Sequence, residues 1–170
     1  MAQITLLTGG ARSGKSTRAL ELAMQYNRRA FIATAQAVDE EMAQRIEKHR
    51  TEREGRFETI EEPRDLAGAL KLLDKDIDVA IIDCLTVWTG NLMHEGDVGP
   101  FDEIEAFIEA LDKLRCDLIV VTNEVGMSVV PATPLGRRFR DVLGDLNRRV
   151  AKKASVVILM VCGQEVRVKG

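Results

Sequence analysis

The stretch GGARSGKS, Gly9–Ser16, constrains the fold more than any other part of this chain. It matches G-x-x-x-x-G-K-[ST] at every fixed position. It follows an apolar run, ITLLT (Ile4–Thr8), and opens a segment in which Ala19, Leu22, Ala23 and Tyr26 recur at helical spacing. A strand that runs through a glycine-rich loop into a helix makes an anion cradle. The backbone amides of Gly9, Gly10, Ala11, Arg12, Ser13 and Gly14 can turn toward phosphate oxygens, and the helix N-terminus adds partial positive charge. Lys15 is expected to reach the β- and γ-phosphates of a nucleoside triphosphate. The Ser16 hydroxyl is expected to sit on Mg²⁺.

The rest of the chain repeats the strand–helix rhythm. AFIAT (Ala30–Thr34), RFETIEEP, VAIID (Val79–Asp83), DLIVVTN and VVILMV read as strands; the second is stopped by Pro63. Between them lie amphipathic stretches: DEEMAQRIEKHR with Asp39 as N-cap, RDLAGALKLL, FDEIEAFIEALDKLR with Ile104, Phe107, Ile108 and Leu111 on one face, and RRFRDVLGDLNRRVAKKA. EVRVKG after Gly163 reads as a hairpin return. Strands without polar alternation, separated by helices, imply an α/β fold: a P-loop, three-layer domain with a mainly parallel sheet and a C-terminal hairpin strand. One domain over residues 1–170 is expected. His94–Pro100 and Gly126–Pro134 read as loops, and the second follows a sheet strand, where α/β proteins place ligand-contacting loops.

Charge and composition exclude some partners. The net charge of −3 argues against an extended nucleic-acid surface, and Asp141 and Asp145 interrupt the basic helix 137–153. The longest apolar run, Val156–Cys162, is too short to span a bilayer, and the N-terminus lacks the pattern of a secretory signal, so a cytoplasmic protein is expected. The odd number of cysteines, Cys84, Cys116 and Cys162, fits no zinc spacing and reads as buried, reduced thiols. Trp88, with Leu85, Val87 and Leu92, reads as core or subunit contact, and His94 as a solvated loop residue.

Asp83 ends the strand VAIID, the place of a Walker B acid that holds Mg²⁺ directly or through water; an N-cap for the following helix is the plainer alternative. A switch GTPase would carry N-K-x-D, and TNEV (Thr122–Val125) supplies only the Asn. A small kinase or nucleotidyl transferase fits best. A kinase without a covalent intermediate and a slowly hydrolysing regulatory module are the rival readings.

The stretch RIEKHRTERE, Arg45–Glu54, contains one of the two histidines. On a helix His49 lies seven residues after Met42 and three after Ile46, so it faces the protein body, with Arg45 and Arg53 at i−4 and i+4. An imidazole between two guanidiniums is disfavoured as a cation, and the same guanidiniums suit bidentate capture of phosphate. Such a group could be a nucleophile in phosphoryl or nucleotidyl transfer. It could equally be a hydrogen-bonded core histidine beside a solvated face of Glu47, Lys48, Glu52 and Glu54.

The segments TGGARSGKS, IATAQAVDEEMAQRIEKHR, DCLTVWTGNLM and VTNEVGMSVVP, taken in order along essentially the whole chain, resemble the bifunctional adenosylcobinamide kinase / adenosylcobinamide-phosphate guanylyltransferase family of cobalamin assembly. The resemblance implies a homotrimeric enzyme that phosphorylates adenosylcobinamide with ATP or GTP. It then transfers GMP from GTP, through a guanylylated histidine, to the substrate phosphate. That histidine falls on His49. The implied nucleotide contacts fall on Gly9–Ser16, on Ala33, Thr34 and Ala35, on Arg50, Thr51, Glu52 and Arg53, on Glu61 and on Asp83. Phe57 and Glu54 depart from the family pattern, in which Trp and Pro are frequent. Glu124, at a strand end, is a candidate for the base of the kinase step.

Overall fold

The computed structural model describes residues 2–36, 40, 51 and 55–170, and of Glu95 the backbone alone. The helix expected over 39–50 therefore lies, apart from Glu40, outside the described residues, as do His49, Arg50, Glu52 and Arg53.

Seven strands form one sheet: β1 (Ile4–Gly9), β2 (Arg29–Ala33), β3 (Glu58–Glu61), β4 (Val79–Asp83), β5 (Asp117–Val121), β6 (Val156–Val161) and β7 (Gln164–Lys169). Their order is β3-β2-β4-β5-β1-β6-β7. Every pairing is parallel except β6 with β7, the hairpin return. The α/β, mainly parallel architecture is the one the sequence pattern implies.

Five described helices cover the faces: α1 (Lys15–Ala23), α2 (Leu66–Leu72), α3 (Leu85–Leu92), α4 (Asp102–Ala110) and α5 (Pro134–Lys153). Alternate strand residues feed two cores, because successive side chains point to opposite faces. Ile4, Leu6, Ala80, Ile82, Leu118 and Val120 join α2–α5 on one side. Leu7, Val79, Ile81, Ile119 and Val121 join Ala19 and Ala23 of α1 on the other. Trp88 is fully buried on the first side and meets Phe107 edge-on at 5.3 Å. Its indole N–H donates to the Arg64 carbonyl at 2.7 Å.

The chain leaves β1 toward the α1 face and β5 toward the α5 face. Adjacent parallel strands whose exits go to opposite faces open a crevice at their carboxyl ends, the usual ligand position in such sheets. The P-loop and the loop after β5 border this crevice.

Three expectations need correction. The first helix ends at Ala23, not Tyr26. The Tyr26 hydroxyl instead donates to Asp117 Oδ2 at 2.7 Å, and the following backbone N–H groups of Asn27 and Arg28 donate to Asp78. The last long helix starts at Pro134 rather than Arg137, because Thr133 caps it by accepting from the Gly136 N–H and proline is compatible with the first helical turn. Cys162 is not buried: it sits exposed, with φ 51°, in the tight β6–β7 turn. Among the described residues, no helix is long and apolar enough to cross a membrane.

Candidate active site

The loop between β1 and α1 is held open by left-handed backbone. Gly9 (φ 143°), Arg12 (φ 55°) and Gly14 (φ 96°) all lie at positive φ. Gly9 is fixed by space as well, since a Cβ there would come closer than 3.0 Å to the Met160 carbonyl oxygen of β6. Gly14 occupies the N-cap of α1, and no side chain caps that helix. The first-turn amides of α1 therefore have no side-chain oxygen competing with an anion.

Two backbone bonds tie this loop to its neighbours. The Glu124 N–H donates to the Gly9 carbonyl at 3.0 Å, and the Gly163 N–H of the β6–β7 turn donates to the Ser13 carbonyl at 3.1 Å. Arg18 of α1 forms an ion pair with Glu165 of β7. The C-terminal hairpin is thus a brace for the phosphate loop.

Lys15 is buried under the loop. Its ammonium donates to the Gly10 carbonyl at 2.5 Å and to Ser13 Oγ at 3.3 Å. Burial pushes its pKa below the ordinary lysine value, while the neighbouring Cys84 and Asp83 act in the opposite direction. The amine is therefore a desolvated cation aimed at the loop, where charge counts for more than at the surface. Cys84 is held as a neutral thiol: burial, then Asp83, raise its pKa to about 11.

Asp83 ends β4, half-buried. The N-cap alternative for it is ruled out, because Cys84 is the N-cap of α3 and accepts from the Val87 N–H. Register places Glu61, Ala33 and Asp83 in one row across β3, β2 and β4. With about 4.8 Å between strands, Glu61 and Asp83 stand roughly 10 Å apart along the sheet edge. The next level is locked by Thr34, which is fully buried. Its hydroxyl donates to the Cys84 carbonyl at 2.9 Å and accepts from the Cys84 N–H at 2.8 Å.

Of the sequence-predicted residues, Gly9–Ser16, Ala33, Glu61 and Asp83 lie where the strands end, while His49, Arg50, Glu52 and Arg53 are outside the described residues. Gly9, Ser13 and Lys15 are buried, Gly14 and Ser16 half-buried, and Gly10, Ala11 and Arg12 exposed. Ala33 and Ala35 are half-buried, and Glu61 and Thr51 exposed. Glu124 is half-buried, and its carboxylate accepts from the Gly126 N–H at 2.7 Å.

Other residues at this edge escaped sequence reasoning. Asn91 of α3 donates through Nδ2 to the Thr34 carbonyl at 2.8 Å and to the Pro63 carbonyl at 3.0 Å, stapling the ends of β2 and β3 together. The Thr86 hydroxyl accepts from the Asn123 N–H at 2.7 Å. Thr122 donates to Asn147 Oδ1, and Asn147 donates to the Asn123 carbonyl, so α5 fixes the end of β5. Only the Gly163 turn had a local signal, the glycine after an apolar run. The others are polar residues inside helical patterns, with partners far away in sequence.

Two divalent-metal ligands suggested by sequence, Ser16 and Asp83, lie at this edge. Among the described residues, no group of three or more His, Cys, Asp or Glu could form a metal centre. One hydroxyl and one carboxylate, both hard oxygen donors, suit Mg²⁺ that takes its remaining ligands from phosphate and water.

Comparison with known proteins agrees with this geometry. The sequence profile of the family described as cobinamide kinase / cobinamide phosphate guanyltransferase matches residues 5–168. The bifunctional adenosylcobalamin biosynthesis protein CobP of Pseudomonas aeruginosa is 41% identical over 167 residues, covering 97% of this chain and 96% of the relative. The bifunctional adenosylcobalamin biosynthesis protein CobU of Escherichia coli is 38% identical over 181 residues, covering 96% of this chain and 98% of the relative. Its Salmonella typhimurium namesake is 36% identical over 178 residues, with the same coverage. Among solved structures, the RadB recombinase superposes with a TM-score of 0.53 at 18% identity, covering 92% of this chain and 73% of that one. The VirB11 ATPase of the Brucella suis type IV secretion system gives 0.50 at 12% identity, over 98% of this chain and 48% of that one. These two likenesses concern the fold alone, that of P-loop NTPases.

Proposed function

The chain belongs to the cobinamide kinase / cobinamide phosphate guanyltransferase family, and on that premise we propose that it catalyses both steps of nucleotide-loop assembly in cobalamin synthesis. In the first, ATP or GTP phosphorylates the aminopropanol hydroxyl of adenosylcobinamide. In the second, GTP guanylylates His49, and the GMP passes to the substrate phosphate to give adenosylcobinamide-GDP.

The observation that carries this reading is Lys15, buried beneath a left-handed glycine loop, with Asp83 close enough to act on its charge. A desolvated cation and loop amides hold a triphosphate and stabilise the charge that develops on leaving pyrophosphate. Ser16 and Asp83 are the residues that would hold Mg²⁺, which neutralises phosphate charge when bound. A ring nitrogen of His49 attacks the α-phosphorus and pyrophosphate departs. Arg50 and Arg53 stabilise the equatorial oxygens, with Thr51 and Glu52 beside them. Ala33, Ala35 and Glu61 meet the nucleoside, while Thr34, buried and bonded to Cys84 and Asn91, positions them rather than touching it; the Glu61 carboxylate is an acceptor for guanine or ribose donors. Two half-reactions through a covalent enzyme give ping-pong kinetics. The working assembly is a homo-oligomer, a trimer on the family resemblance, in the cytoplasm, where the three free cysteines stay reduced.

The test is incubation with α-³²P-GTP and Mg²⁺. We expect protein-bound label that is acid-labile and alkali-stable, chased by adenosylcobinamide-phosphate and absent in His49→Ala. Label that persists in His49→Ala would overturn the assignment.

A further inference from the structure

The two loops singled out in the sequence, His94–Pro100 and Gly126–Pro134, meet at the N-terminus of α5, beyond the ends of the parallel strands. They form a surface that the nucleotide chemistry does not use. Met127, Val129 and Val130 are 79%, 90% and 63% exposed, and Val98 and Leu135 are about half exposed. Beside them lies a cavity of about 470 Å³ lined by Gly96, Val98, Gly99, Pro134, Leu135 and Arg138.

This apolar surface stands on a braced frame. Arg137 donates to the carbonyls of Pro131 and Ala132, both at 2.9 Å. Arg138 of α5 donates from Nε to the Val98 carbonyl at 2.8 Å, tying the first loop to the helix that follows the second. The Ser128 hydroxyl donates to the Val125 carbonyl at 3.0 Å. At its other end the Gly126–Pro134 loop is anchored on the phosphate loop, through the Glu124 N–H and the Gly9 carbonyl. Val129 is five steps along the chain from Glu124, a span of at most about 18 Å. Met127 and Val129 are therefore within that reach of the residue tied to the phosphate loop.

We propose that Met127, Val129 and Val130, with the cavity between Val98 and Leu135, are the docking surface for the corrin ring of the acceptor. The proposal rests on the reading of the chain as a cobinamide kinase and guanylyltransferase. That acceptor is a broad macrocycle with an apolar face and an amide fringe, and its reacting hydroxyl or phosphate sits on a short arm. It needs an apolar platform one arm's length from the phosphates. Contiguous exposed apolar side chains mark such contacts, and the cavity has the volume of a small-molecule site. A second copy of the chain is the other occupant such a patch can take, and the sedimentation measurement separates the two.

The experiment compares wild type with the triple variant Met127→Ser, Val129→Ser, Val130→Ser; these exposed positions leave the core intact. We expect the KM for cobinamide to rise about tenfold or more. Labelling from α-³²P-GTP, the KM for the nucleotide and the sedimentation coefficient should stay at wild-type values. A cobinamide KM within twofold of wild type overturns the docking surface alone. The same unchanged KM with an altered sedimentation coefficient overturns it in favour of self-association. A wild-type protein that is labelled by GTP but neither binds nor turns over any cobinamide overturns the functional reading as well.

Discussion

At the edge where the parallel strands begin, Asp78 and Asp117 direct their carboxylate oxygens at the chain itself. Asp78 accepts from the backbone N–H groups of Asn27 and Arg28; Asp117 accepts from the Gln3 N–H and from Tyr26. At the opposite edge, where the strands end, Asp83 and Lys15 lie at a loop of left-handed backbone, and the helix behind it has no side-chain cap. The starting edge has a hollow of about 630 Å³, lined in part by Tyr26, Asp78 and Asp117, so a hollow by itself does not mark the site of chemistry. The difference lies in what the polar groups do. Carboxylates that satisfy buried or turn amides hold the fold together, whereas a buried cation beneath a strained glycine loop costs stability and marks chemistry.

The sharpest way to break this contrast is Lys15→Met. We expect both transfer activities to fall roughly 10³-fold, the loss typical of removing a dedicated charge-stabilising donor. Stability should not fall. A lysine whose folded pKa is depressed carries a charge that is better solvated in the unfolded chain. It therefore costs the folded state at all pH values below its folded pKa, so deleting it at neutral pH removes a penalty. Activity is read by α-³²P labelling and product formation, stability by thermal melting. A variant that melts well below wild type would make Lys15 a structural residue and erase the distinction between the two edges.

Gly9→Ala probes the geometry rather than the charge. The new Cβ meets the Met160 carbonyl of β6 and must accept φ 143°, so β1 and β6 cannot both keep their places. We expect about 2–4 kcal/mol of destabilisation, read as a lower urea midpoint with unchanged slope. A loss under 1 kcal/mol would show that the loop yields easily, and that the hairpin brace matters little.

How much of each edge could be read in the sequence follows the same division. GGARSGKS and the apolar strands are local patterns, so the sheet, its mainly parallel sense and the position of Lys15 were legible. Asp83 was legible by place, but only the structure assigned the cap to Cys84 and so freed Asp83 from that duty. The Gly163–Ser13 bond, the Asn91 staple and the Thr122–Asn147–Asn123 link were not legible, because hydrogen bonds between distant loops leave no periodicity behind. Tyr26 shows the converse. Its helical spacing was genuine, yet Asp117, 91 residues away, takes the hydroxyl and the helix stops short. The assignment of His49 rests on family resemblance together with helical phase.

Tyr26→Phe is the gentlest of these changes, and it tests the claim that the starting edge is structural. Losing the bond to Asp117 should cost about 1 kcal/mol and leave GTP labelling and both KM values unchanged. The pH dependence gives a finer signature. The hydrogen bond to Asp117, then burial, raises the Tyr26 pKa from 10.0 to about 12. Folding thus favours the protonated phenol. Its contribution is complete below the unfolded pKa near 10 and is lost as pH rises through the folded value near 12. Wild type should therefore lose stability more steeply than Tyr26→Phe between pH 10 and 12, with parallel curves below pH 9. Curves that stay parallel up to pH 12 would mean that the bond does not hold the phenol in its protonated form. The Asp117 carboxylate would then serve the Gln3 N–H, and the side-chain anchoring of the starting edge would pass to Asp78.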